Sequence, residues 1–557
     1  MVSKSKSNQN RFHRFDFFLA LIISLISVVL VLLKDNLTAY EFQALDSVEF
    51  FERVKDSTYL VNDFFTNVSL IPNPRFVYYY FVLFLMNLFR TDWYSVFFFI
   101  KVVYVVFLPV LFYLVILSLI KARLETEREY KIASIFALLA VLFVLFDPVS
   151  YFFSIAFWWP LFLHANSQNF GIFLGLLTVL ISQNKRFSPI IVTLSWAITT
   201  LFHPAIGAFM FMFYHMAIFD RIKTKRFLAI LIAGILVPQL ILLLFFGPKI
   251  PLSSKDFVHY YVVENLPHQY MVSHLASTIH RIPSWIINAA AMVNLMLITS
   301  LIAIRRKNLQ VVKLSLIFIA AYCGSILSQF IFTEIYPVKW VAALGPIRFT
   351  LFGYWMISIL FILVGVDIFK NSKFVDKFKF VVIDKKIYFL VIVLLLIVLN
   401  FLKDNPFEEA RQKNAAFYNW LEKSTGDDEV FASYLSLLHF DIPIIGKRAI
   451  FFGNGWIFRE DYLPEFTERK ILLYGSFEEN QKITGDENWI MDKWQTYYRS
   501  RTPKNFREIS SNYKLDYVIV ENGFRGQFSS YTPVFQNKDF SGYKVVDFSD
   551  ADSARLN

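Results

Sequence analysis

The sequence predicts a polytopic α-helical membrane protein of about eleven transmembrane helices, ending in a small extracytoplasmic α/β domain. Three observations predict it. Hydrophobic residues fill 56% of the 557 positions and aromatic residues 18%, and mean hydropathy is +0.48, whereas a soluble chain is about 45–50% apolar. Apolar runs recur from Phe17 to Leu402 and several are long enough to cross a bilayer. Charge is divided along the chain: from Asp404 onward 19 basic and 24 acidic residues give −5, and the remainder carries +16 of the +11 total. An acidic tail on a basic membrane body argues against nucleic acid as a partner. It favours basic loops on the cytoplasmic side of a lipid bilayer and a soluble domain on the other side.

The first run, about Phe17–Leu33, follows Lys4, Lys6, Arg11 and Arg14 and lacks a small-residue cleavage site after it. It is expected to span, with the N-terminus cytoplasmic and the loop 34–92 outside. Phe76–Phe89 has 14 residues, too short to cross comfortably and long enough for a juxtamembrane helix. Spans are expected over about Trp93–Ile120, Ile132–Phe146, Phe170–Ile181, Ile190–Phe202, Ala205–Phe219 and Phe227–Phe246. They continue over Trp285–Ile304, Val311–Phe332, Phe349–Phe369 and Ile387–Leu402. With this assignment each inner loop is rich in Lys and Arg: Lys121/Arg123/Arg128, Lys185/Arg186, Arg221/Lys223/Lys225/Arg226, Arg305/Arg306/Lys307 and Lys370/Lys373/Lys377.

Two domains follow, 1–403 in the membrane and 404–557 outside it. The tail begins helically and then shows strand-like runs at Arg448–Phe452, Tyr517–Val520 and Tyr543–Phe548. One cysteine, Cys323, excludes a disulfide within the chain. None of the glycine-containing turns of the tail, Phe451–Trp456 among them, is followed by the Lys-Ser/Thr of a phosphate loop.

The polar chemistry gathers on the outer side. His164, His203, His259, His268, His274, His280 and His439 all map there, as do Glu264, Glu334, Lys339 and Arg348. A transporter would place polar groups at the midplane on broken helices, and a channel would show a polar stripe. The distribution instead predicts an enzyme or receptor acting at the outer interface. His268 and His274 lie six apart, a spacing weak for metal and better suited to hydrogen bonding an anion. His203-Pro204 doubles as a helix end, Arg348 as a snorkelling cation and Lys339 as an interfacial anchor beside Trp340.

The first outer loop carries Glu41, Asp46, Glu49, Glu52 and Asp63. Phe42, Leu45, Val48 and Phe51 recur every three residues, so an amphipathic helix is expected, with Glu41 beside its apolar stripe. Asp63 also suits the cap of a local turn.

Three elements of this loop, Tyr40-Glu41-Phe42, Tyr59 to Phe65 with Asp63-Phe64 inside it, and Pro72-Asn73-Pro74-Arg75, resemble those of the GT-C superfamily. These are polytopic glycosyltransferases that use polyprenyl-phosphate-linked sugars. The motif match covers the first ~100 residues, and the architecture resembles that superfamily throughout. Where members often carry an Asp-Glu or Asp-Asp pair, this chain has Tyr40-Glu41, so Glu41, Asp63 and Asp46 all stand as candidates for the catalytic base. The resemblance implies inverting transfer of a sugar from a polyprenyl-phosphate donor to a glycan, lipid or protein acceptor at a bacterial cytoplasmic membrane. Arg348, His268, His274, Lys339, His203 and His164 would be the groups that bind substrate or phosphate. No cofactor is implied, and a divalent metal stays open. A glycan polymerase or ligase of the same fold, a transporter and a non-catalytic envelope scaffold are the alternatives.

Overall fold

The computed structural model describes residues 14–33, 48–71, 75–145, 167–249, 251–274, 284–372, 384–402, 406–434, 441–453, 459–483 and 490–549. The chain forms two compact units. One comprises Met1–Ala39, Pro74–Phe246 and Gln269–Lys403; the other comprises Tyr40–Asn73, Gly247–His268 and Asp404–Asn557.

The first unit is helical. Six of its described helices are long and apolar enough to cross a bilayer: Phe15–Leu33, Trp93–Arg123, Thr224–Phe246, Ile286–Arg305, Leu309–Ile335 and Lys339–Phe369. This establishes a helical membrane protein that sits in a lipid bilayer, and it falls short of the eleven spans expected. Five further apolar helices, Phe76–Phe89, Ser167–Gln183, Pro189–Phe202, Pro204–Ala217 and Lys386–Phe401, have 10–17 residues. Pro189 and Pro204 open two of them, and at 1.5 Å per residue 14 residues rise about 21 Å against a hydrocarbon core of about 30 Å.

The long helices are held by buried polar contacts as well as by apolar packing. Pro109 lies inside the Trp93–Ile120 helix and has no N–H to give to the carbonyl four residues earlier. Ser27 Oγ donates to that carbonyl, Val105 O, at 2.7 Å, and Ser24 Oγ donates to Val106 O at 3.0 Å. The first helix thereby repairs the backbone that proline leaves open, as lipid requires. Asp16, buried near the start of the same helix, accepts from Tyr113 Oη at 2.9 Å and Tyr130 Oη at 2.8 Å. These two hydroxyls make burial of a carboxyl tolerable.

The second unit is built on a five-stranded sheet. Its strands are β1 (Val430–Ala432), β2 (Ala449–Ile450), β3 (Tyr517–Glu521), β4 (Phe535–Gln536) and β5 (Phe540–Lys544), in the order β2-β1-β3-β5-β4. β1 pairs parallel with β2 and β3, while β5 runs antiparallel to β3 and β4. Aromatic residues fill its core, with Phe431 and Tyr517 stacked at 4.7 Å. The expected strand Tyr543–Phe548 is shifted. β3 begins at Tyr517, opposite Lys544; one further bond, Val545 N to Asp516 O at 2.9 Å, closes the pairing, and Val545–Ser549 turns into a 3-10 helix.

Two segments from the first part of the chain complete this unit. Phe65 packs edge-on against Phe452 and Phe466, at 5.7 and 5.8 Å between ring centroids. Glu264 meets the buried Lys470 at 3.2 Å and accepts from Phe477 N at 2.9 Å. Asn265 Nδ2 donates to Thr467 Oγ1 at 2.8 Å. Of the amphipathic helix expected in the first loop, Val48–Lys55 is helical and buries Val48, Phe50 and Phe51; Phe42 and Leu45 lie outside the described residues.

Candidate functional site

In the helical unit, two arginines from distant points of the sequence come near His203. This residue ends the Pro189–Phe202 helix, its N–H donating to Thr199 O at 3.1 Å, and it caps the next helix, its Nδ1 accepting from Ile206 N at 3.3 Å. Acceptance at Nδ1 places the ring proton of the neutral imidazole on Nε2, which is left as a donor. The ring is 7% exposed. It fits because Gly171 passes so close that a Cβ there would stand 2.8 Å from His203 Cβ. Arg75 and Arg348 both lie near enough to act electrostatically on His203. Arg75 occupies the N-cap of the Phe76–Phe89 helix, whose dipole adds positive potential there.

Arg348 is positioned by Tyr270. Its guanidinium carbon lies 4.8 Å from the Tyr270 ring centroid, and Nη2 donates to the Tyr270 hydroxyl. Tyr270 is fully buried. Buried Gln329 fixes both partners, its Nε2 donating to Tyr270 O at 3.0 Å and its Oε1 accepting from Ile347 N at 3.4 Å. The turn that delivers Arg348 needs glycine at Gly345. Its φ is +65°, and a Cβ would stand 2.7 Å from Tyr270 Cε1.

Two further sequence-predicted groups of this unit are described, Lys339 and His274. Lys339 is buried, with Nζ 5.2 Å from the Trp340 ring centroid. His274 is exposed, its Nδ1 2.7 Å from Ser273 Oγ, while that hydroxyl donates its one proton to Glu334. His274 Nδ1 must therefore be the donor of its pair. His268, the last residue of its segment of the second unit, lies in the Pro267–Tyr270 helix with its side chain outside the described residues. His164, Glu41 and Asp46 also lie outside the described residues.

In the second unit Asp63 is buried and committed to backbone. It is the N-cap of the Phe64–Ser69 helix, Oδ1 accepting from Thr66 N at 2.7 Å and Oδ2 from Ile450 N at 2.8 Å. Burial raises its carboxyl above the usual aspartate range, against the lowering effect of these bonds. Half-buried Glu49 feels it: burial first, and then the charge of Asp63, push the Glu49 carboxyl up to about 8. Asp63 thus does the work of a cap, as its place before a short helix predicts. Among the described residues no group of three or more His, Cys, Asp or Glu side chains could hold a metal ion.

Arg75, Tyr270, Gln329 and Glu49 were not singled out as site residues from sequence. Arg75 had a signal, a cation directly after Pro72-Asn73-Pro74 that opens an apolar helix. Gln329 had a weaker one, an amide near the end of an apolar run. The partnership of Tyr270 with Arg348 has no local signature, because 78 residues separate them.

Fold and site together define a class, an integral membrane protein of mainly helical structure with a small sheet-containing unit and two half-buried arginines beside a buried histidine. Comparison with protein-family models, with characterised proteins and with solved structures finds no match to this chain.

Proposed function

We propose that the protein is a membrane glycosyltransferase that moves a sugar from a polyprenyl-phosphate donor to an acceptor hydroxyl on the outer face of a bacterial cytoplasmic membrane. The observation that carries this reading is the gathering of Arg75, His203 and Arg348. Phosphate is the leaving group of such a transfer, and fixed donors in a site shielded from water are worth far more than in solution. Arg348 is held by Tyr270 and His203 by its helix junction, so neither must reorganise as negative charge develops.

In the proposed step a carboxylate takes the proton of the acceptor hydroxyl, and the oxygen attacks the anomeric carbon. The bond from that carbon to the phosphate oxygen breaks, its electron pair staying on the phosphate beside the cations. Transfer inverts the anomeric configuration. Glu41 is the first choice for the base and Asp46 the second; both oxygens of Asp63 already accept backbone N–H groups. The proposed topology has eleven crossings, with the N-terminus cytoplasmic and residues 404–557 outside.

The test is transfer from labelled polyprenyl-phosphate sugars in membranes holding wild type, Glu41→Gln, Asp46→Asn, Arg348→Gln and His203→Gln at equal protein level. Loss of transfer in one carboxylate variant identifies the base. Loss of one fixed donor to the leaving phosphate lowers turnover by roughly 10²-fold. Undiminished transfer in Arg348→Gln together with His203→Gln would refute the role given to the cationic centre.

A further inference from the structure

A polar cavity lies in the helical unit, lined by residues other than those of the His203 centre. It has a volume of about 180 Å³ and forms where the Ser167–Gln183, Pro204–Ala217 and Thr224–Phe246 helices end or begin. Its wall holds four cations, Lys185, Arg221, Lys223 and Arg226, and no carboxylate. The walls are tied in place: Gln183 Nε2 donates to Tyr214 Oη at 3.2 Å, Arg226 Nη2 to Ser182 O at 3.3 Å, and Arg221 Nη2 to Leu119 O at 2.8 Å.

Two features point to an anionic ligand. Arg221 Nε is buried without a hydrogen-bond acceptor among the described residues, and a buried donor left in that state is costly. The Asp220 carboxylate lies 3.7 Å from it but is already engaged by Arg123 at 2.7 Å. Four like charges around one cavity also repel one another unless a counter-charge enters.

The surroundings identify the source of that charge. Beyond the cavity, Leu228, Ile232, Leu236, Leu240 and Leu244 recur every four residues along the Thr224–Phe246 helix, and all are exposed. Ile190, Ile191 and Leu194 are exposed on the neighbouring Pro189–Phe202 helix. A cationic pocket that opens beside an uncovered apolar stripe suits a ligand with a phosphate at one end and hydrocarbon at the other. Basic pockets between membrane helices take lipid headgroups for this reason. We infer that the cavity lined by Lys185, Arg221, Lys223 and Arg226 binds the phosphate of an anionic phospholipid, whose acyl chains lie along the Leu228–Leu244 stripe.

The test is native mass spectrometry of the full chain in detergent, titrated with phosphatidylglycerol and, separately, with zwitterionic phosphatidylcholine. Lys223 and Arg226 are exposed, so the double variant Lys223→Gln/Arg226→Gln leaves the core intact. Each cation near a membrane surface strengthens anionic-lipid binding about fivefold, so the double variant should weaken phosphatidylglycerol binding roughly 25-fold. A second double variant, Arg305→Gln/Lys307→Gln, removes the same charge elsewhere and should leave that binding unchanged. Equal weakening in both variants, or no weakening in the first, would overturn the site. Phosphatidylcholine bound as tightly as phosphatidylglycerol would do the same. Pyrophosphate bound in lipid-free detergent as tightly as phosphatidylglycerol would assign the cavity to a soluble phosphate and overturn the lipid.

Discussion

Replacing Glu49 by glutamine should stabilise the second unit at neutral pH and leave it unchanged in acid. The Glu49 carboxyl moves from 4.5 to about 8 on folding, chiefly through burial and secondly through the charge of Asp63. Between those values the folded unit keeps a proton that the unfolded chain releases, so its stability falls as pH rises from about 5 to about 8. At 1.36 kcal/mol per pH unit, the penalty at pH 7 is at most about 3 kcal/mol. Glu49 keeps some exposure, and solvent screening reduces that to roughly 1–2 kcal/mol. Glutamine preserves the shape and polarity of the protonated acid and does not ionise, so the penalty disappears. In a unit of this size the gain corresponds to about 2–8 °C in Tm. The assay is tryptophan-fluorescence melting of the full protein in detergent, with Trp494 buried in the unit as a reporter. Wild type and Glu49→Gln should melt together at pH 4 and separate at pH 7, the variant higher. A variant that melts lower at pH 7, or by the same margin at both pH values, would refute the reasoning. Asp63→Asn should narrow the separation, since it removes the second cause of the shift.

Further outcomes follow from other contacts. Asp63→Ala removes a helix cap and leaves Ile450 N without its acceptor, so the second unit should lose about 2–4 kcal/mol, read by the same melting assay. Glu264→Gln strands Lys470, a lysine that burial has already pushed down to about 8. The single change should cost about 3–5 kcal/mol, and Glu264→Leu/Lys470→Met should recover most of it. Gly345→Ala forces a side chain into a left-handed turn against Tyr270, so it should lower stability by about 1–3 kcal/mol. If the proposed function holds, it should also lower sugar transfer through the displaced Arg348.

How much was legible in the sequence depended on the range of the interaction. The Trp93–Ile120 span, the 14-residue Phe76–Phe89 helix and strand Tyr517–Glu521 follow from local apolar patterning and appear within a few residues of expectation. Asp63 as a cap was also legible, because capping is settled within three residues. The crossing count was less so, since a 14-residue apolar run does not say whether it reaches across a bilayer. The pairing of Tyr270 with Arg348, of Glu264 with Lys470 and of Ser27 with Val105 was not legible at all. Each joins residues 78 to 206 positions apart, and no local preference encodes such a meeting.

The three-part composition of the second unit has a consequence for parity. In the proposed topology the three segments of this unit lie in water on one side of the bilayer, so the chain between any two of them crosses an even number of times. Between Asn73 and Gly247 the long apolar helices among the described residues are two, Trp93–Arg123 and Thr224–Phe246, and that number balances. Between His268 and Asp404 the described residues hold three, Ile286–Arg305, Leu309–Ile335 and Lys339–Phe369, an odd number that the proposed topology does not allow. Among the described residues the remaining apolar helix of that stretch is Lys386–Phe401, so the proposed topology requires this shorter helix to cross as well. By the same rule, any helices added to the count between Asn73 and Gly247 come in pairs.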